Sequence, residues 1–202
     1  MNYNSVSQLP KEAIPEHIIN IYKKYGKADY IGENLTQTEH ALQSAFLAMQ
    51  ERPDDYEFIL AALFHDIGHI LNIDGQSLMM DTGKVNLGVA THEYIGSGYL
   101  RSLGFPERTC MLVSMHVRAK RYLASTNIKY MDNLSEASYK TMKYQGGMMN
   151  MDEAEAFQKN EYFSDAIRIR YIDDYAKKTV GEMGCSIPSI DYYKDMILNV
   201  LE

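Results

Sequence analysis

The run FILAALFHDIGHIL, Phe58 to Leu71, places the strongest constraint on how this chain can fold. It is apolar enough to be a buried central helix. Yet it carries His65, Asp66 and His69 near its end. An aspartate left uncompensated in a core costs several kcal/mol, roughly, so Asp66 requires a partner. The pattern predicts a helix from Tyr56 to about Leu71, with His65 and His69 at i and i+4 on one face.

Helical signals dominate on either side. Pro15 opens a short helix through Gly26, with Ile18, Ile19 and Tyr22 on one face. Thr36 or Thr38 caps TEHALQSAFLAMQE, which Pro53 ends. NIDGQSLMMDTGKVNLG reads as a loop, because it mixes polarity and carries three glycines. THEYIGSGYLRSLG reads as a helix closed by Gly104, and Pro106 opens another, PERTCMLVSMHVRAKRYLAS. Ser135 begins SEASYKTMKYQGG, stopped by Gly146 and Gly147. A short acidic helix starts at Asp152, a long one covers EYFSDAIRIRYIDDYAKK, and a last runs from about Asp191 to Leu201. Alternating strand patterns are scarce, so the expected fold is all-α, a single helical bundle with the termini as additions.

The chain has 202 residues, enough for one domain with a sizeable core. A net charge of −7 without a long basic run argues against nucleic acid as a partner. No apolar run approaches the ~20 residues of a membrane span, and the first residues lack a secretory pattern. Cys110 and Cys185 form no C-x-x-C pair and are expected as free thiols in a reducing cytoplasm. Nothing in the sequence implies an obligate protein partner.

Asp66 finds its candidate partners among the other metal-capable residues. His40, then His65, Asp66 and His69 together, His92, His116 and then Asp173 or Asp174 lie on five predicted helices, and only His17 of the six histidines stands apart. Taken singly, a histidine on an amphipathic helix is more often a satisfied core or surface group than a ligand. Together they make an imidazole and carboxylate set that suits iron, manganese or zinc. A carboxylate can bridge two such ions and offset part of their charge.

The order His40, His65-Asp66, His92, His116, Asp173 resembles the HD superfamily of metal-dependent phosphohydrolases and its dinuclear branch. Within it, DYIGENLTQTEH, AALFHDIGH, HVRAKRYL, NLSEASYKTMKYQGG and IRYIDDYAKK are similar to the PhnZ-like mixed-valent diiron oxygenases, which cleave the C–P bond of organophosphonates. The resemblance covers residues 25–202, an HD-domain oxygenase unit, and leaves 1–24 as an N-terminal extension.

That resemblance implies two irons, Fe(II)/Fe(III), and O2 as co-substrate. His40, His65, Asp66 and Asp173 would hold one iron, and Asp66 would bridge to a second held by His92 and His116. Lys120 and His69 would contact the phosphonate, with Ser138, Thr141 and Gln145 adding hydrogen bonds. Tyr30 and Glu33 would close the resting site and move aside for substrate. The implied substrate is a small molecule, a 1-hydroxy-2-aminoethylphosphonate, unmethylated or N-trimethylated. Its products would be phosphate and glycine or the N-methylated acid. The alternative is an HD phosphohydrolase acting on a nucleotide or phosphomonoester through the same ligands.

Overall fold

The computed structural model describes residues 9–30, 34–71, 79–81, 86–178 and 184–202. Among them the regular structure is helical, apart from an isolated bridge between Asp29 and Thr36 and one short antiparallel ribbon, β1 (Met79–Asp81) with β2 (Asn86–Val89). The ribbon corrects the expectation of a plain loop there. Two strands of three and four residues have no apolar alternation to announce them.

The helices are α1 (Ile14–Tyr25), α2 (Gln37–Glu51), α3 (Tyr56–Phe64), α4 (His92–Ser102) and α5 (Glu107–Thr126), followed by α6 (Ile128–Asp132), α7 (Glu136–Tyr144), α8 (Met151–Gln158), α9 (Phe163–Tyr175) and α10 (Lys194–Leu201). Local chemistry fixes several starts. Thr36 caps α2 through a capping box: its Oγ1 accepts from the Glu39 N–H at 3.2 Å, and Glu39 Oε2 accepts from the Thr36 N–H at 2.7 Å. Asp55 caps α3, Ser135 caps α7 and Asn150 caps α8, each by accepting a backbone N–H.

Every side chain from Phe58 to Phe64 is fully buried, which makes α3 the axis of the bundle. It packs against α2, α5, α9 and α10, while α5 also packs on α4 and α9. Burying one such aliphatic or aromatic side chain contributes about 1.5–3 kcal/mol. Helix α1 joins the same core: Ile18, Ile19 and Tyr22 are buried, and the Tyr22 hydroxyl donates to the Leu63 carbonyl at 2.8 Å. The residue 24/25 boundary therefore falls inside a packed helix, and α10 lies against α1.

The expected continuous helix to Leu71 does not form. Helix α3 ends at Phe64, Asp66 sits at φ −104° and ψ 9°, and Ile67–His69 make a single 3-10 turn. The apolar pattern runs on through the break, so periodicity gave no sign of it. His65 and His69 consequently do not share a helical face. No helix among the described residues is long and apolar enough to cross a membrane.

Candidate metal centre

The break after Phe64 is what assembles the site. His65 closes α3 and faces α2 and α9, while the 3-10 turn carries His69 toward α4. Gly68 permits that approach, because a Cβ there would stand 2.0 Å from the His92 carbonyl oxygen. At the start of α4, Thr91 takes a left-handed conformation, φ 60°, uncommon for a β-branched residue. The next residue, His92, then enters the cluster from the first turn of its helix.

Two groups of ligand atoms result, and Asp66 belongs to both. In the first, His40 Nε2 is 3.0 Å from His65 Nε2 and 3.3 Å from Asp173 Oδ1. Asp66 Oδ2 is 3.4 Å from His65 Nε2 and 3.8 Å from His40 Nε2. In the second, His92 Nε2 is 3.1 Å from both His116 Nε2 and Asp66 Oδ1, and His116 Nε2 is 3.4 Å from that same oxygen. Each oxygen of Asp66 thus serves one group. Donor atoms held about 2.1 Å from a shared ion stand about 3.0–3.4 Å apart around it, close to the spacings here.

The hydrogen bonds on the far side of the rings support metal binding. His40, His65, His92 and His116 turn Nδ1 to the carbonyls of Ala176, Ala62, Val89 and Val113, at 2.8, 2.8, 3.1 and 2.7 Å. Assigning the proton to Nδ1 on that basis leaves each Nε2 as a lone pair. Lone pairs then face each other at 3.0 and 3.1 Å in an interior with two buried carboxylates, an arrangement that requires positive charge between them. Protons alone would supply it only by charging the rings. Burial opposes that at His65, yet Asp66 and Asp173 outweigh it and push its pKa up to about 9. Burial would raise the carboxyl of Asp66, but the surrounding imidazoles hold it well below the usual range. A cation in each group would answer the same demand.

His69 is built differently. Its Nδ1 accepts from the Val89 N–H at 3.0 Å, which puts the proton on Nε2. The ring stacks on His92 with centroids 3.8 Å apart, and Nε2 stays 4.0 Å from Asp66 Oδ1. Burial, with His92 beside it, lowers its pKa well below the usual histidine value, so it is neutral. In that tautomer Nε2–H is a donor, although Asp66, His69 and His92 also bring ligand atoms within 4.8 Å of one another.

A small cavity of about 50 Å³ opens beside the cluster, lined by Asp66, His69, His92, His116, Lys120, Ser138, Thr141, Gln145 and Asp173. Lys120, one turn after His116 on α5, is buried and donates to Thr141 Oγ1 at 3.1 Å. Burial, aided by Arg170, pushes its pKa down to about 7. Gln145 keeps a buried Oε1 without a partner among the described residues. Tyr30 stacks on His40, centroids 3.9 Å apart, and its hydroxyl donates to Asp173 Oδ1 at 3.4 Å. Glu33 lies outside the described residues.

Asp173 and Asp174 separate as their 100° offset requires. Asp173 reaches the first group, whereas Asp174 accepts from the Tyr130 hydroxyl at 2.8 Å and pairs with Arg170. Two cavity residues escaped the sequence reading. Arg170 is buried and donates to Asp173 Oδ2 at 2.5 Å, and Lys177 donates to Ser138 Oγ at 3.0 Å. A charged residue one turn before Asp173 was the only available hint of the first. Cys110 is buried and free, its thiol pushed up to about 11 by burial, and Cys185 is exposed and free.

Comparison with known proteins agrees with this geometry. The family model described as "HD domain" matches residues 38–158. The chain is 38% identical over 88% of its length, and 87% of the relative's, to the glycine-betaine-forming 1-hydroxy-2-(trimethylamino)ethylphosphonate dioxygenase of Leisingera caerulea. It is 34% identical to the hydroxymethylphosphonate dioxygenase of Gimesia maris, covering 98% of this chain and 92% of that one. An uncharacterized protein of Acanthamoeba polyphaga mimivirus is 38% identical over 91% of this chain and 80% of its own.

Proposed function

The chain belongs to the HD-domain family, among relatives of the PhnZ-like phosphonate dioxygenases, and from that premise we propose that it is a two-iron oxygenase that cleaves the C–P bond of a short 1-hydroxyphosphonate. The observation that carries the proposal is Asp66, whose two oxygens face two separate histidine groups beside a cavity bearing Lys120. His40, His65, Asp66 and Asp173 would hold one iron, and Asp66, His92 and His116 the other. Iron there would supply Lewis-acid binding of substrate oxygens and the redox chemistry for O2.

The remaining residues bind and orient. Lys120 offers a point charge to the phosphonate, held in place by Thr141. Neutral His69 donates its Nε2–H, and Ser138 and Gln145 add polar contacts. Tyr30 keeps its proton, since burial and Asp173 raise its pKa well above the usual value, and it covers His40 until substrate enters. With Glu33 it forms the pair proposed to close the resting site. The overall reaction balances without an external reductant: O2 takes four electrons as the C–P bond breaks, and the products are phosphate, a carboxylate and a proton.

The substrate's far end is taken to be the aminoethyl group, unmethylated or N-trimethylated. The cavity lining supports a second reading, a substrate without nitrogen. Among the described lining residues the carboxylates, Asp66 and Asp173, face imidazoles, and the single phenol ring, Tyr30, stacks on His40. A trimethylammonium calls for several aromatic faces and a primary ammonium for a carboxylate of its own. The test is an oxygen-electrode trace on iron-loaded protein with phosphate release followed in parallel. The trial substrates are 2-amino-1-hydroxyethylphosphonate, its N-trimethyl analogue and hydroxymethylphosphonate. Oxygen uptake that matches phosphate release is expected with at least one. No uptake with any, together with phosphate release from a phosphomonoester panel, would assign the chain to the hydrolases.

A further inference from the structure

Lys177 stands two residues beyond the end of α9, within the segment IRYIDDYAKK, and the sequence reading gives it no role. Its ammonium donates to Ser138 Oγ at 3.0 Å and lies 3.7 Å from Asp174 Oδ1, and both Lys177 and Ser138 line the cavity. We infer that Lys177 is a positioning residue that sets the direction of the Ser138 hydroxyl, so that its proton is donated to the bound phosphonate. The inference rests on the phosphonate reading above.

Donors and acceptors decide the direction of the hydroxyl. An ammonium can only donate, whereas a hydroxyl has one proton and two lone pairs. With Lys177 occupying a lone pair of Oγ, the proton must point elsewhere. A helical serine commonly spends that proton on a carbonyl one turn back. Thr141, on the same helix, does so: its Oγ1 donates to the Ser138 carbonyl at 3.1 Å while accepting from Lys120 at 3.1 Å. Ser138 Oγ donates to no group among the described residues. The two aliphatic hydroxyls of α7, Ser138 and Thr141, therefore have different tasks, each fixed by its own lysine. Thr141 holds Lys120, and Ser138, held by Lys177, presents a proton to the cavity. Asp174 is shared with Arg170 and Tyr130, and its 3.7 Å pairing with Lys177 leaves the shorter contact of the ammonium to Ser138 Oγ in place.

The test is calorimetric titration of metal-loaded protein with methylphosphonate, which has no C1 hydroxyl. Lys177→Met should weaken binding about tenfold, the loss of one charge-assisted hydrogen bond, and Lys177→Arg should restore most of it. Metal content and melting temperature should match the parent in both. In a Ser138→Ala background Lys177→Met should change affinity less than twofold, because its partner is gone. A full tenfold loss in that background, or equal binding by Lys177→Met and the parent, would overturn the inference and leave the phosphonate reading intact. Failure of the parent to bind methylphosphonate would overturn both.

Discussion

Replacing Gly68 by alanine tests how the metal centre is assembled. The backbone of Gly68 is not left-handed, so alanine meets no conformational penalty there. The obstacle is space. The added Cβ would stand 2.0 Å from the His92 carbonyl oxygen, 2.8 Å from its carbon and 2.9 Å from its Cα. Ordinary contact begins near 3.4 Å, so the 3-10 turn and the first turn of α4 must separate by up to about 1.4 Å. The obstructing atoms are backbone, and no rotamer change relieves them. Overpacking of this kind costs about 1–3 kcal/mol, offset by about 0.5 kcal/mol from the stiffer unfolded chain. For a domain of this size that lowers Tm by roughly 1–10 °C. The displacement falls on His92, so the second metal group should suffer before the first. Calorimetric melting and iron analysis of the purified variant would show a lower Tm and about one iron per chain. A variant that melts with the parent and keeps two irons would refute the claim that the Gly68 contact positions His92.

Asp66→Ala should lose at least one iron, since both groups depend on its carboxylate; retention of both metals would rule out bridging. Lys120→Ala should raise the substrate KM roughly 10–100-fold, the loss of a charge-assisted contact, with iron near two per chain; loss of iron instead would show that Lys120 supports the metal group. Acid stability should depend on Asp55 and Asp165. The Arg108 hydrogen bond leads in holding Asp55 low; burial works against Asp165, but Arg108 and Arg52 prevail there and lower it too. A depressed folded pKa gives stability that is present above the unfolded value and lost as pH falls through the folded one. Arg108→Leu should therefore flatten the fall of Tm between about pH 5 and pH 2. An unchanged slope would show that the cluster is screened by solvent.

What the sequence determines here is local or combinatorial. The TQTE box starts α2 because Thr36 and Glu39 satisfy each other's backbone donors within one turn. The ordering of histidines and aspartates marks a candidate metal cluster, and the family resemblance narrows it to Asp173 over Asp174. Three things are decided only by tertiary structure. The break after Phe64 is invisible to periodicity, because Ile67, Ile70 and Leu71 are buried in the 3-10 turn and beyond just as they would be in a helix. Only the presence of α4 shows why Gly68 must be small. Arg170 and Lys177 are ordinary charges on paper, and line the candidate site because α9 and the residues just after it bring them beside Asp173 and Ser138. The tautomer of His69 is set by one backbone N–H, that of Val89, twenty residues away. Spacing along a chain fixes which face a residue occupies, but a tautomer or a close approach depends on the segment packed against it.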